Sequence, residues 1–476
     1  MHRDVLMNEK WRYALLTLAA IPILIYIGKS ITVTPFYLMA AICCVIVAVI
    51  TFLNPEHGVM ILIFSMLLSP ELAVANVPGR AVTIRIDDLL IMVVFLAWFA
   101  NISVDKDWKG FVKTPLDAPL ILLTFLYIFS TTWGVIAGNV NPIKGIFYSL
   151  KYIEYFILYW LTVNVIKDKK LLTRYLIAGL ITSIIVTLYV YSQFGSIERA
   201  SAPFDKVGGE PASLGGYYIV VFVALFAFLL HAKSNAMRLA YAGLIIFTIT
   251  PFVKTLSRAS YLAFVALVII MFVLTKRRKI VMGLSIISAT ILFPIVAPQL
   301  YYSMVDRVMV TFTGAHSASY TTYTVGGGKI SDESALQRIE SWKMVLNERF
   351  PKNLFTIFFG NGVTGIGFVE GQFFLVLGEI GFFGVITFYW VLIKIAYFSM
   401  VAYQNSSDEL TMSLSITVVC ALIALIFQSL TTNTFIIVRI MEPLWFLTGL
   451  VMLLPHLEQQ EIADNAASNV PRVASV

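Results

Sequence analysis

Apolar runs of 17 to 25 residues, broken by short polar connections, recur along almost the whole chain. At a rise of about 1.5 Å per residue, such a run crosses a hydrocarbon layer of about 30 Å as a helix whose main-chain polar groups are satisfied internally. Fourteen runs are centred near residues 20, 42, 64, 94, 125, 154, 182, 223, 246, 266, 289, 385, 421 and 445, the third of them short. Alternating segments of about ten residues, the mark of a membrane strand barrel, do not occur. The pattern predicts an all-α polytopic membrane protein of about 12–14 transmembrane helices.

One interruption is long. Residues 299–369 are rich in polar side chains and run directly into the twelfth span. The expected organisation is therefore helices 1–11 over 1–298, an extramembrane loop over 299–369, helices 12–14 over 370–455, and a polar tail over 456–476. The tail has no periodic apolar face and is expected to be disordered. Within the loop, SDESALQRIESWKMVL predicts an amphipathic helix, with Ser331 or Asp332 as its cap and Ile339, Trp342 and Leu346 as an apolar stripe. GGGK at 326–329 follows TTYT instead of an apolar strand and lacks phosphate-loop spacing, so it reads as a flexible turn.

Composition agrees with the pattern. The 476 residues are 59% hydrophobic and 13% charged, with mean hydropathy +0.85, well above the apolar share of a soluble domain. A net charge of +7 would suggest nucleic acid, but most basic residues sit in short loops between spans, and no nucleic-acid partner is expected. With the long loop left out, sixteen lysines and arginines lie on the N-terminal side of the membrane and eight on the other. That asymmetry predicts N-in and C-in, with loops 193–215, 254–258 and 299–369 facing outward. No small-residue cleavage site follows the first apolar run, so a retained span is expected there. Cys43, Cys44 and Cys420 lie inside apolar runs and imply no disulfide framework. Walker-type loops, HExxH and Cys/His clusters are missing, so neither a metal nor another cofactor is expected.

Three charged features lie in or beside spans. Arg85, Asp87 and Asp88 open the fourth span, as an interfacial anchor and two carboxylates on a helix N-terminus. Lys151 and Glu154 stand at i, i+3 in the sixth and can pair on one face. Lys394, in the twelfth, is expected to snorkel.

The outward side carries the candidate chemistry. Arg199 directly follows the seventh span, Arg258 opens the tenth, Arg338 lies in the amphipathic helix, and Glu370 stands where the twelfth begins. Taken singly, each arginine reads equally as a headgroup anchor or a surface ion pair. Three on one side favour an anionic ligand, because a guanidinium donates two parallel bonds to phosphate and keeps its charge when partly desolvated. A diphosphate leaving group needs such neutralisation. Glu370 suits a general base for a hydroxyl nucleophile, the alternative being a carboxylate that interacts with the helix dipole. Tyr301, Tyr302, Tyr320, Tyr323 and Trp342 could stack on sugar rings, although such aromatics are more often interfacial anchors.

RIDDLL at 85–90, the Arg199 loop, TLSRASYLAF at 255–264, SALQRIESW at 334–342, FFGNG at 358–362 and EGQFFLVLGEIGFFG at 370–384 follow one another in this order. Together they resemble the bacterial O-antigen ligase and O-antigen (exopolysaccharide) polymerase superfamily, integral membrane glycosyltransferases of GT-C-like architecture. The resemblance implies an inner-membrane enzyme acting at the periplasmic face on undecaprenyl-diphosphate-linked oligosaccharide, without a metal. It implies that Arg199, Arg258 and Arg338 bind the diphosphate and that Glu370 is catalytic. A chain-length regulator and a repeat-unit flippase are the implied partners. Ligases of the superfamily carry His-Asn where Glu370-Gly371 stands, nine residues before the Glu-x-Gly kept as Glu379 and Gly381, which tilts the expectation toward a polymerase, with Glu379 structural. The alternatives are a ligase acting on lipid A core or protein, and a transporter or flippase of lipid-linked glycans. A carrier would show related halves and midplane charges, whereas the polar residues here gather in one late loop.

Overall fold

The computed structural model describes residues 35–77, 80–105, 110–205, 210–313, 323–325, 328–330 and 333–468. Its helices follow the apolar runs. Helices α1 (Pro35–Leu53) and α2 (Pro55–Leu68) are split by Asn54, whose side chain accepts the Glu56 N–H at 3.0 Å, while Pro55 takes the first-turn position that needs no donor. An antiparallel hairpin, β1 (Glu71–Val77) and β2 (Arg80–Arg85), leads into α3 (Ile86–Val104). There follow α4 (Asp117–Ile136), α5 (Pro142–Val165), α6 (Lys169–Ser192), α7 (Pro211–His231), α8 (Asn235–Lys254), α9 (Arg258–Leu274), α10 (Lys279–Val296) and α11 (Pro298–Thr313). A small hairpin, β3 (Tyr323–Val325) and β4 (Gly328–Ile330), precedes α12 (Glu333–Met344) and α13 (Leu354–Phe359). The chain closes with α14 (Gln372–Asn405), α15 (Glu409–Ser429) and α16 (Val438–Ser468).

Eight of these helices are long and apolar enough to cross a membrane: α3, α4, α6, α7, α8, α14, α15 and the Val438–Glu461 part of α16. The protein is an all-α, multi-pass membrane protein. Of the fourteen expected runs, the one near 20 lies outside the described residues, that near 42 forms α1, and those near 64 and 266 form the shorter apolar helices α2 and α9. The run near 154 is α5, 24 residues long but carrying Lys144, Lys151 and Glu154, and the run near 289 is α10. At 14 residues α2 is about 21 Å long, short of a full crossing.

Two compact units emerge, and their division falls inside α5 and α6. The first comprises Met1–Lys113 and Phe156–Ile184. There Arg85 is the N-cap of α3, and its guanidinium meets Asp87 at 2.7 Å and reaches the Met66 carbonyl at 3.1 Å. Asp88 accepts the Arg85 N–H at 3.0 Å, so both carboxylates occupy the positive end of α3 and all three charges are buried. Asn101 donates to the Phe52 carbonyl at 2.6 Å, satisfying an acceptor that the end of α1 leaves open.

The second unit, Thr114–Tyr155 and Ile185–Val476, is centred on α15, which packs against α7, α9, α14 and α16. One end of it is tied by a relay at the ends of α7, α9 and α14. The Lys276 N–H donates to Tyr403 Oη at 2.9 Å, leaving that hydroxyl's proton for His231 Nε2 at 3.3 Å, while His231 Nδ1 donates to the Ala227 carbonyl at 2.8 Å. Arg278 and Arg238 reach the Ala232 carbonyl from the same end. Lys394 donates to the Pro115 carbonyl at 3.2 Å and lies over the Trp390 ring, so the expected snorkelling ends on a protein acceptor.

Two expectations are corrected. The α12 stripe does not continue to Leu346: the inward face runs from Trp342 to Val345 at i+3, and a π turn, Val345–Arg349, follows. Val345 is buried in its place, packed with Ile366, Val369 and Leu375, whereas Leu346 is 45% exposed. The tail read as disordered from 456 continues α16 to Ser468, since LEQQEIADNAAS is rich in good helix formers, and residues 469–476 lie outside the described residues.

Candidate active site

The four sequence-predicted residues all belong to the second unit, at the end opposite the His231 relay. Glu370 directly precedes α14, whose N-cap is Gly371 at φ 102°. A Cβ at Gly371 would stand 3.0 Å from Trp342 Nε1, and that close approach lets the indole donate to the Glu370 carbonyl. The Trp342 ring stacks on Phe374 at 4.8 Å, so one of its faces is not available to a sugar. One turn earlier on α12, Arg338 forms an ion pair with the Glu370 carboxylate, both side chains partly accessible. Arg338 and Glu370 are thus brought into direct contact.

Arg199 and Arg258 meet around a second segment. Arg199 reaches the Leu256 carbonyl at 3.4 Å, and the neighbouring Ala200 N–H donates to the Lys254 carbonyl at 3.0 Å. Arg258 is the first residue of α9, directly after the N-cap Ser257. Leu256 and Phe204 hold positive φ without being glycine, at 49° and 62°, a conformation costing roughly 1–3 kcal/mol each that surrounding contacts must enforce. Such strain gathers at functional loops.

A polar chain connects the two pairs. Ser260 Oγ donates to Ser257 Oγ at 2.9 Å and accepts from Gln428 Nε2 at 3.0 Å, and that amide also donates to the Ala212 carbonyl at 3.0 Å. Beyond Gln428, the connection between α15 and α16 turns back to the Glu370 corner. Asn433 donates to the Val369 carbonyl at 2.6 Å, and the Phe435 N–H donates to Gln372 Oε1 at 3.1 Å. Tyr155 caps the same connection at the Ile436 carbonyl, 3.1 Å away. Residues 428–436 therefore link the start of α9, where Arg258 sits, to the Glu370 corner, and Arg199 joins the α9 side through the Leu256 carbonyl.

The motif pair FFGNG and EIGFFG forms a backbone crossing further along α14. Gly381 breaks α14 at φ 68°, and carbonyls released there are taken by other donors. Asn361 N–H donates to the Gly378 carbonyl and Gly362 N–H to the Glu379 carbonyl, both at 2.9 Å, and Ser130 Oγ adds a bond to Glu379 at 2.6 Å. A Cβ at Gly360 would lie 2.3 Å from the Glu379 carbonyl oxygen, so the two backbones touch. The Glu379 carboxylate is buried and accepts from Thr364 N–H at 2.8 Å and Tyr152 Oη at 3.3 Å, which makes it a tie between segments.

Sequence reasoning passed over Gln428, Gln372, Asp205 and Arg439. Arg439, fully buried, forms an ion pair with Asp205 and donates to the Pro203 carbonyl at 2.8 Å. Its position at the start of the last span was the available signal, since an intramembrane charge needs a partner. Of the aromatics, Tyr301 and Tyr302 make an edge contact on α11 with Tyr302 exposed, Tyr323 lies in β3, and Tyr320 is outside the described residues. No group of three or more His, Cys, Asp or Glu suited to a metal occurs among the described residues. Compared with models of known protein families and with curated proteins, the sequence matches none.

Proposed function

We propose that this protein is a polysaccharide polymerase of the inner membrane, transferring a growing glycan from undecaprenyl diphosphate to a sugar hydroxyl of another lipid-linked repeat unit. The observation that carries the reading is the Arg338–Glu370 contact at the mouth of a span, with Arg258 opening α9 and Arg199 bound to the segment before it. A base and three guanidinium groups are what displacement of a diphosphate by a hydroxyl requires. The acceptor oxygen attacks the anomeric carbon and gives its proton to Glu370. The bond to the diphosphate oxygen breaks, its electron pair leaves with the phosphate, and the anomeric configuration inverts. Arg338, held by Glu370 before substrate binds, exchanges that carboxylate for phosphate and so frees the base as the donor arrives.

Charge asymmetry supports a periplasmic position for this end. The opposite end gathers Lys233, Arg238, Lys276, Arg277, Arg278 and Lys279, as expected of a cytoplasmic face. Polyprenyl chains would lie between spans, and a repeat-unit flippase and a chain-length regulator are the natural partners. The test is incubation of the purified protein with lipid-linked repeat units. A ladder of lengthened chains is expected. Single transfer to a distinct acceptor such as lipid A core would make the protein a ligase, and no transfer, with lipid translocated in proteoliposomes, would make it a carrier.

A further inference from the structure

Arg439 stands at a costly place, one helical turn before the buried Glu442. As the second residue of α16 it places a positive charge at the positive end of a helix dipole, and its side chain is about 1% exposed in the core. Removing a guanidinium from water costs several kcal/mol, and well-packed apolar residues often serve stability equally well. What the charge supplies is a fixed geometry. It pairs with Asp205 and donates to the Pro203 carbonyl, on either side of Phe204, whose φ of 62° needs both flanks held.

The segment so gripped is the one that carries Arg199. It is fixed again at Ser201, whose N–H and carbonyl make paired bonds of 3.0 and 2.9 Å with the Gln193 amide. Arg439 also ends the connection in which Asn433 and Phe435 grip Val369 and Gln372, the residues flanking Glu370 and Gly371. One short stretch, Asn433 to Arg439, thus holds the Glu370 corner with its first half and the Arg199 loop with its last residue.

We infer that Arg439 is a positioning residue for the transfer reaction: its buried ion pair with Asp205 sets the Arg199 loop in register with the Glu370 corner, so that diphosphate and base face one reacting carbon. The purpose assigned here rests on the polymerase reading, but the clamp itself does not. Two variants in the full-length protein test it, each read by hydrogen exchange of residues 197–205 and by donor KM and kcat. Asp205→Asn removes charge without volume, and Asp205→Glu keeps the charge. For Asp205→Asn the expectation is faster exchange confined to 197–205 and a donor KM raised about tenfold, with kcat within about twofold. Asp205→Glu is expected to restore most of both. Unchanged exchange in Asp205→Asn overturns the clamp, and so does faster exchange spread over the whole chain. Localised loosening with unaltered donor KM and kcat overturns the positioning role. A wild-type protein that does not polymerise refutes the polymerase reading, while the exchange result still decides the clamp.

Discussion

Glu370 and Arg338 each occupy the other's charge, and their roles separate on substitution. Glu370→Gln keeps size and hydrogen bonding but removes the proposed base, so the transfer rate is expected to fall by about a hundredfold or more while donor binding persists. Arg338→Ala is expected to raise donor KM instead, and Arg338→Lys to recover little, because an ammonium lacks the fork that meets phosphate oxygens in pairs. Steady-state kinetics on lipid-linked repeat units separates the two. Gly381 is a different kind of residue. A Cβ there would stand 2.5 Å from Gly360 N, at φ 68°, so Gly381→Ala is expected to cost about 1–3 kcal/mol, read as a lower unfolding midpoint in detergent. Glu370 and the three arginines could be singled out from the sequence because charged residues at span ends are conspicuous against apolar runs. Gln428 and Gln372 could not, since an uncharged amide inside a span looks like tolerated polarity until its partners are known.

Between α12 and α14 the chain uses irregular elements to bring two helices to one corner. The π turn at Val345–Arg349 lies between Trp342, which anchors α12 to Glu370, and the Gly360–Gly381 crossing. At its start Val345 faces inward and Leu346 outward. Val345→Ala is expected to destabilise the protein by roughly 2 kcal/mol, whereas Leu346→Ala is expected to have little effect, measured as unfolding midpoints in the same detergent. The sequence placed α12 and its polar face, because Glu, Gln, Arg and Lys alternate with apolar residues at helical spacing over its length. It could not place the π turn, whose single extra residue has no compositional mark. The FFGNG and EIGFFG segments could be recognised as motifs, but their function as two halves of one backbone crossing depends on contacts between residues about twenty apart.

Across the whole molecule, span existence followed from apolar length, which is why helix positions could be anticipated from one end of the described chain to the other. Span count did not follow as directly, because α2 is shorter than a crossing run and α5 carries three charges. The two ends of the second unit differ in charge, and labelling can test the sidedness drawn from that difference. In a cysteine-free background, Glu340→Cys is expected to react with an impermeant maleimide from the periplasm, and Lys233→Cys only after the inner membrane is permeabilised. Reversal of that order would place the Glu370 corner in the cytosol, away from flipped lipid-linked glycan. The most direct test of the central claim is the single-turnover rate of purified Glu370→Gln with saturating lipid-linked donor and acceptor. Retained donor binding and a rate about a hundredfold or more below wild type are expected. Chain elongation at the wild-type rate would contradict it.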